Sequence, residues 1–206
     1  MNYLKSGKKV LQNEIKALQA LDQSLSEAFN AAAEVISNTE GKVIFLGLGK
    51  SGHVAKKCAA TFSSLGIPSF FVHASEAFHG DFGMISKNDS IIAFSFSGKT
   101  EDVVNGVKYC NQNNIPTIGI SGDSNSLLAK KSHIHLDICV NDEADHLNLA
   151  PTSSTTNMMA LCDALASSIS EQKGFSRSDF YTFHPSGSLG TKSSRYPNSS
   201  DSPTGK

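Results

Sequence analysis

A chain of 206 residues, 39% hydrophobic and 18% charged, has the length and composition of one globular domain or two small ones, enough to fold without disulfide staples. Its formal net charge of −1 offers no electrostatic handle for nucleic acid or an anionic membrane, and no apolar run approaches the roughly 20 residues a membrane span needs. The opening Met1-Asn-Tyr-Leu-Lys-Ser-Gly-Lys-Lys9 lacks the apolar core of a signal peptide, and the four cysteines form no CxxC pair and lie in apolar segments, so a cytoplasmic protein with buried, reduced thiols is expected.

Apolar residues recur at three- and four-residue steps from Val10 through Leu11, Ile15, Leu18, Leu21, Leu25 and Phe29 to Ile36, which predicts one N-terminal helix long enough to pack against a second subunit. Gly41 ends that region, and Lys42 to Leu48 reads as a buried strand. Further strands are predicted at Ser69 to His73, Asp89 to Phe96, Thr117 to Ser121 and Ile134 to Val140. Helical patterns lie between them, at His53 to Leu65, Glu101 to Asn113 and Ser126 to Lys131, and a last helix runs from about Thr152 to Gln172. Strand and helix alternate, so the expected fold is α/β: a three-layer α-β-α sandwich around a mainly parallel, five-stranded sheet. The Ser-, Pro- and Asn-rich stretch from Ser193 to Lys206 cannot bury a core and reads as a disordered tail.

The chemistry concentrates in the turns. Ser95-Phe-Ser-Gly-Lys-Thr100 crowds Ser95, Ser97 and Thr100 into a strand-to-helix turn, where free backbone N–H groups and short hydroxyls suit a phosphate. Gly47-Leu-Gly-Lys-Ser-Gly52 matches the spacing of a dinucleotide turn, but the acidic residue due on the second strand is missing. Together with the Ser95 turn, it points to a phosphate or sugar, with Lys50 and Ser51 able to reach substrate oxygens. Ala150-Pro-Thr-Ser-Ser-Thr-Thr156 caps a helix and holds more hydroxyls than one cap needs, so Ser153, Ser154 and Thr155 are candidate ligand contacts. Glu143, on the loop above the sheet, is a candidate general base or a solvated carboxylate. His79 lies in a loop after the second strand, and His133 and His135 alternate along the fifth. His184, pinned by Pro185, can shuttle a proton or serve the fold, and the residues alone do not choose between these roles.

Five motifs stand in the order seen in sugar isomerase (SIS) domains: Gly49-Lys-Ser-Gly-His53, Phe78-His-Gly-Asp81, Ser95 to Thr100, Leu149 to Thr156 and His184-Pro-Ser-Gly-Ser-Leu-Gly190. From about Lys42 to Lys192 the chain resembles that family, and within it the arabinose 5-phosphate isomerases. The resemblance implies a flavodoxin-like SIS domain over residues 1–192 (with a helical region at 1–40) and a homo-oligomer, dimer or tetramer, with shared active sites. The expected substrate is a small phosphorylated sugar. It also implies that Lys50, Asp102, Glu143 and His184 form the catalytic set, that His79 is an active-site histidine from a neighbouring subunit, and that no cofactor is required. His73 falls where some members bind an inhibitory zinc.

Some positions depart from the resembling proteins. Asp102 stands where they usually carry Glu, Lys99 adds a positive charge to the phosphate turn, Asp145, His146 and Asn148 change the loop beside Glu143, and Ser186 replaces a glycine. Most resembling proteins continue into nucleotide-sensing CBS modules where this sequence ends, which implies a short member or a truncation without direct CBS regulation. The implied activity is aldose–ketose isomerisation between ribulose 5-phosphate and arabinose 5-phosphate through a cis-enediolate, supplying lipopolysaccharide or capsule synthesis. A non-catalytic phosphosugar-binding module and an isomerase of another sugar phosphate are the alternatives.

Overall fold

A computed structural model describes residues 2–185. Five parallel strands, β1 (Val43–Gly47), β2 (Ser69–His73), β3 (Ser90–Phe94), β4 (Thr117–Ser121) and β5 (Ile134–Asp137), form one sheet in the order β2-β1-β3-β4-β5. The predicted α/β sandwich is therefore present. Successive side chains of a strand alternate between faces, and both faces here are covered, so β1, β3 and β4 are buried throughout. Phe45, Ile92, Phe94, Ile118 and Ile120 face one core with helices α1 (Tyr3–Ser24), α2 (Glu27–Ser37), α3 (Gly49–Ser64) and α7 (Ser153–Gln172). Ile44, Leu46, Ile91 and Ala93 face the other, with α4 (Ala74–Ala77), α5 (Glu101–Gln112) and α6 (Leu127–Lys131).

The single long N-terminal helix is two helices. Ser24 Oγ donates to the Leu21 carbonyl, Leu25 turns to an extended conformation at φ −56° and ψ 131°, and Ser26 opens α2 as its N-cap residue. Ser24, whose hydroxyl takes a backbone carbonyl, stands where the first helix ends although the apolar spacing runs on. A short α8 (Arg177–Phe183), started by a capping box between Ser176 and Asp179, occupies a segment for which no element is predicted. The Ser193–Lys206 tail and the end of the His184-to-Gly190 motif lie outside the described residues.

Three cysteines, Cys58, Cys110 and Cys162, are buried as expected, and burial pushes the Cys110 thiol up to about 12. Cys139 is only half-buried, held at φ +52° just past β5. Among the described residues no helix is long and apolar enough to cross a membrane.

His135 of β5 and His133, the residue just before the strand, are both engaged by β4: Thr117 Oγ1 lies 2.9 Å from His133 Nδ1 and Ser121 Oγ 2.8 Å from His135 Nε2. Burial pushes the His135 imidazole below its ordinary value, against the opposing pull of Asp137 and Asp123. The unfolded chain therefore takes up this proton at a higher pH than the folded one, and stability present above about pH 6.5 is lost as the pH falls below it. His135→Gln keeps a hydrogen-bonding side chain and removes the titration, so the drop in melting temperature between about pH 7.5 and pH 5.5 shrinks relative to the parent protein. An unchanged drop would refute this assignment.

Candidate active site

The chain leaves β1 for β2 on one side and returns to β3 on the other, so the sheet's switch point lies between β1 and β3. In open parallel sheets the crevice beyond the strand ends at that point is where ligands bind. Two of the predicted turns meet there. In the first, Gly47 and Gly52 pack backbone to backbone: a Cβ on Gly47 would lie 3.1 Å from the Gly52 Cα. That contact folds α3 directly back from β1 and puts Lys50, exposed, and Ser51, half-buried, in the first turn of the helix. The residue before α3 is Leu48, which supplies no side-chain cap, so the first amides of the helix face the crevice without a side-chain acceptor.

The second turn is Ser95 to Thr100. Gly98 sits at φ +61°, and a Cβ there would lie 2.2 Å from Ser126 Oγ, so both the backbone conformation and the space demand glycine. The Gly98 carbonyl accepts from Leu128 N at 2.9 Å, which ties the turn to α6. Ser95 Oγ and Thr100 Oγ1 bond each other at 2.8 Å. Thr100 thus spends its hydroxyl inside the turn, and α5, like α3, starts without a side-chain cap. Ser97 is exposed and accepts from Lys99 N at 3.2 Å. Two helix N-termini without side-chain caps, α3 and α5, with Lys50 beside them, make a corner at the switch point whose amides suit an anion.

The third helix start, α7, is already occupied. Glu143 is buried, and its Oε2 accepts from Thr152 N at 2.8 Å, Ser154 N at 3.1 Å and Thr152 Oγ1 at 3.2 Å, while Oε1 accepts from Ser154 Oγ. A carboxylate in that position does for α7 what a cap residue does elsewhere, and the positive end of the helix favours its charge. The hydroxyl run reads differently in consequence. Ser154 serves Glu143, and Thr155 Oγ1 donates to the carbonyls of Thr152 and Pro151 in its own turn. Ser153 Oγ is buried with no partner. Thr152, the N-cap residue outside the predicted set, is a second hydroxyl that bonds Glu143, and it also accepts from Ala144 N. Beside Glu143, Asn13, Lys16 and Ala17 of α1 and Cys139, Asn141, Asp142 and Asn148 wall a cavity of about 440 Å³.

Asp102, half-buried in the first turn of α5, accepts from Ser75 Oγ at 2.8 Å. His79 is exposed between α4 and a 3₁₀ turn at Asp81–Met84, next to the ring pair Phe78–Phe82. His73 ends β2 in register with Gly47, and its Nδ1 is buried without a partner. A metal-bound histidine normally donates its second nitrogen to an acceptor. Among the described residues no three His, Cys, Asp or Glu side chains come together in a group that could hold a metal ion.

His184 is not brought to the others. α7 starts by β5's C-terminal end, where Asn157 Nδ2 donates to the Ile138 carbonyl, and is roughly 30 Å long. It delivers the chain to the opposite edge of the sheet, where Phe175 packs against Gly66 in the turn before β2. Phe183 stacks on Phe175, and His184 stacks on Phe180 at 3.9 Å, its Nδ1 2.9 Å from the Phe180 carbonyl. Within one chain Glu143 and His184 therefore lie near opposite ends of α7.

The SIS domain pattern matches residues 36–168. Arabinose 5-phosphate isomerase KdsD of Francisella tularensis is 47% identical over 182 residues, which cover 87% of this chain and 56% of the relative. The KdsD of Escherichia coli K12 is 42% identical over 191 residues, covering 93% of this chain and 58% of that protein. The chain thus spans a little over half the length of these curated relatives. The c3406 protein of E. coli CFT073, solved in complex with arabinose 5-phosphate, superposes with a TM-score of 0.87 at 39% identity, over 90% of this chain and all of that one.

Proposed function

The chain belongs to the SIS-domain family, and from that premise we propose that it interconverts D-ribulose 5-phosphate and D-arabinose 5-phosphate. The observation that carries the reading is the corner between β1 and β3, where α3 and α5 present uncapped N-termini beside Lys50. The substrate phosphate docks on those amides and on the hydroxyls of Ser51, Ser97 and the Ser95–Thr100 pair. Anchoring the tail fixes the first two carbons, and such positioning supplies up to ~7–11 kcal/mol of a barrier.

A base removes a proton from C1 of the ketose. The C1–H electron pair forms the C1=C2 double bond, and the carbonyl electrons move onto O2 to give the cis-enediolate. Return of a proton to C2, with a proton moved from O1 to O2, yields the aldose. Lys50 faces the negative oxygen. Glu143 Oε1, which carries one hydrogen bond against three on Oε2, is the oxygen left to move the carbon-bound proton. His184 then serves the oxygens from a second copy of the chain, since its own chain holds it at the other end of α7. The exposed apolar side chains of Tyr3, Leu4, Leu11 and Ile15 along α1, and of Phe78 and Met84 beside His79, support a homo-oligomer with sites at its contacts. The scheme moves protons only and calls for no cofactor.

A second reading, a phosphosugar-binding module without turnover, is favoured by one observation: within the described residues of a single chain, Glu143 and His184 lie near opposite ends of α7. One experiment separates the two. Incubation with ribulose 5-phosphate in D₂O, followed by NMR, is expected to give arabinose 5-phosphate deuterated at C2. Binding of the sugar phosphate without conversion would establish the second reading and overturn the first.

A further inference from the structure

Ser75 is the second residue of α4, directly after β2, and Asp102 is the second residue of α5, after β3. β1 lies between β2 and β3 in the sheet. The 2.8 Å hydrogen bond from Ser75 Oγ to Asp102 Oδ2 therefore spans the end of β1, the strand whose following turn carries Lys50. A carboxylate at this place in a helix has an alternative: it can turn back toward the unpaired amides of its own first turn. Asp102 Oδ2 is drawn across to α4 instead. α4 is a firm anchor, because Ala74 and Ala77 bury its other side in the core beneath α5.

We propose that Ser75 is a positioning residue for the isomerisation: it holds one oxygen of Asp102, so that the other faces Lys50 or a sugar hydroxyl in a fixed direction. The inference rests on the activity proposed above and adds a member to the site that neither motif spacing nor family resemblance supplies. Ser75 touches no reacting atom. Its effect passes through Asp102 alone, and this makes it separable from a role in folding.

The test is a double-mutant cycle on the full chain with ribulose 5-phosphate, read as kcat and KM together with melting temperature. Ser75→Ala is expected to lower kcat by about 10- to 100-fold, the span of one hydrogen bond to a charged group, with KM and melting temperature little changed. Ser75→Thr, which keeps the hydroxyl, restores most of the rate. In an Asp102→Ala background the further change Ser75→Ala has no effect on kcat, because the group it positions is gone. An unaltered kcat in Ser75→Ala, or a loss of equal size with and without Asp102, overturns the inference while leaving the isomerase reading intact. A parent protein that binds but does not convert ribulose 5-phosphate overturns both.

Discussion

Glu143→Gln is expected to lower kcat by about 10²–10⁴-fold, the range that general acid–base groups supply, and to lower the melting temperature as well. The two losses have one source. The carboxylate receives four hydrogen bonds from Thr152 and Ser154, and every donor points at an oxygen. The amide has one oxygen and one NH₂: with the oxygen kept on the side of the two backbone N–H groups, the NH₂ replaces the acceptor of Ser154 Oγ, whose own O–H is left without its partner. A buried donor left unpaired costs about 1–3 kcal/mol. For a domain of this size that is a fall of about 2–4 °C per kcal/mol. Calorimetry and the isomerisation assay, run on the same preparation, read both effects. A lower melting temperature with the parental rate would make Glu143 a helix cap and nothing more, and would pass the carbon-bound proton to another group.

Lys50→Met is expected to show the opposite pattern, a loss of rate without a loss of stability. Lys50 is exposed in the first turn of α3. Exposed side chains of this kind change stability by no more than about 0.5 kcal/mol when replaced. An ammonium facing the enediolate oxygen acts where charge develops, and removing one such group typically lowers kcat by about 10²–10³-fold. If the substitution instead raises KM and leaves kcat alone, Lys50 holds the phosphate and does not stabilise the intermediate.

The sheet is readable because short runs rich in β-branched, aromatic and small residues stand between glycine and proline, as at Ser69–His73 and Thr117–Ser121, whose predicted and observed bounds agree. The break at Leu25 is not readable, since apolar spacing continues through it and only the serines on either side mark it. In the site, the turns at Gly47–Gly52 and Ser95–Thr100 announce themselves because a strand-to-helix turn against a ligand restricts residue type. What Glu143 does is hidden. Its partners are nine and eleven residues away, and a loop carboxylate looks the same in sequence whether it meets water or a helix end. The hydroxyl run from Thr152 to Thr156 is visible and its Ser153, Ser154 and Thr155 read as ligand contacts, whereas Ser154 and Thr155 are taken up within the protein. Ser75 carries no signal at all, because nothing in local sequence indicates that α4 and α5 meet over β1. The position of His184 follows from the length of α7, a quantity the periodicity does give, but its meaning for the site depends on the direction in which that helix runs.

The corner between β1 and β3 is built chiefly from peptide groups, and peptide groups do not titrate. A chain with a formal charge of −1 can thus hold a doubly charged guest, because the attraction comes from oriented dipoles that no tally of Lys, Arg, Asp and Glu records. On the proposed reading, the contacts these peptide groups make to the phosphate do not themselves change with acidity, and the guest's own second ionisation alters how tightly they hold it.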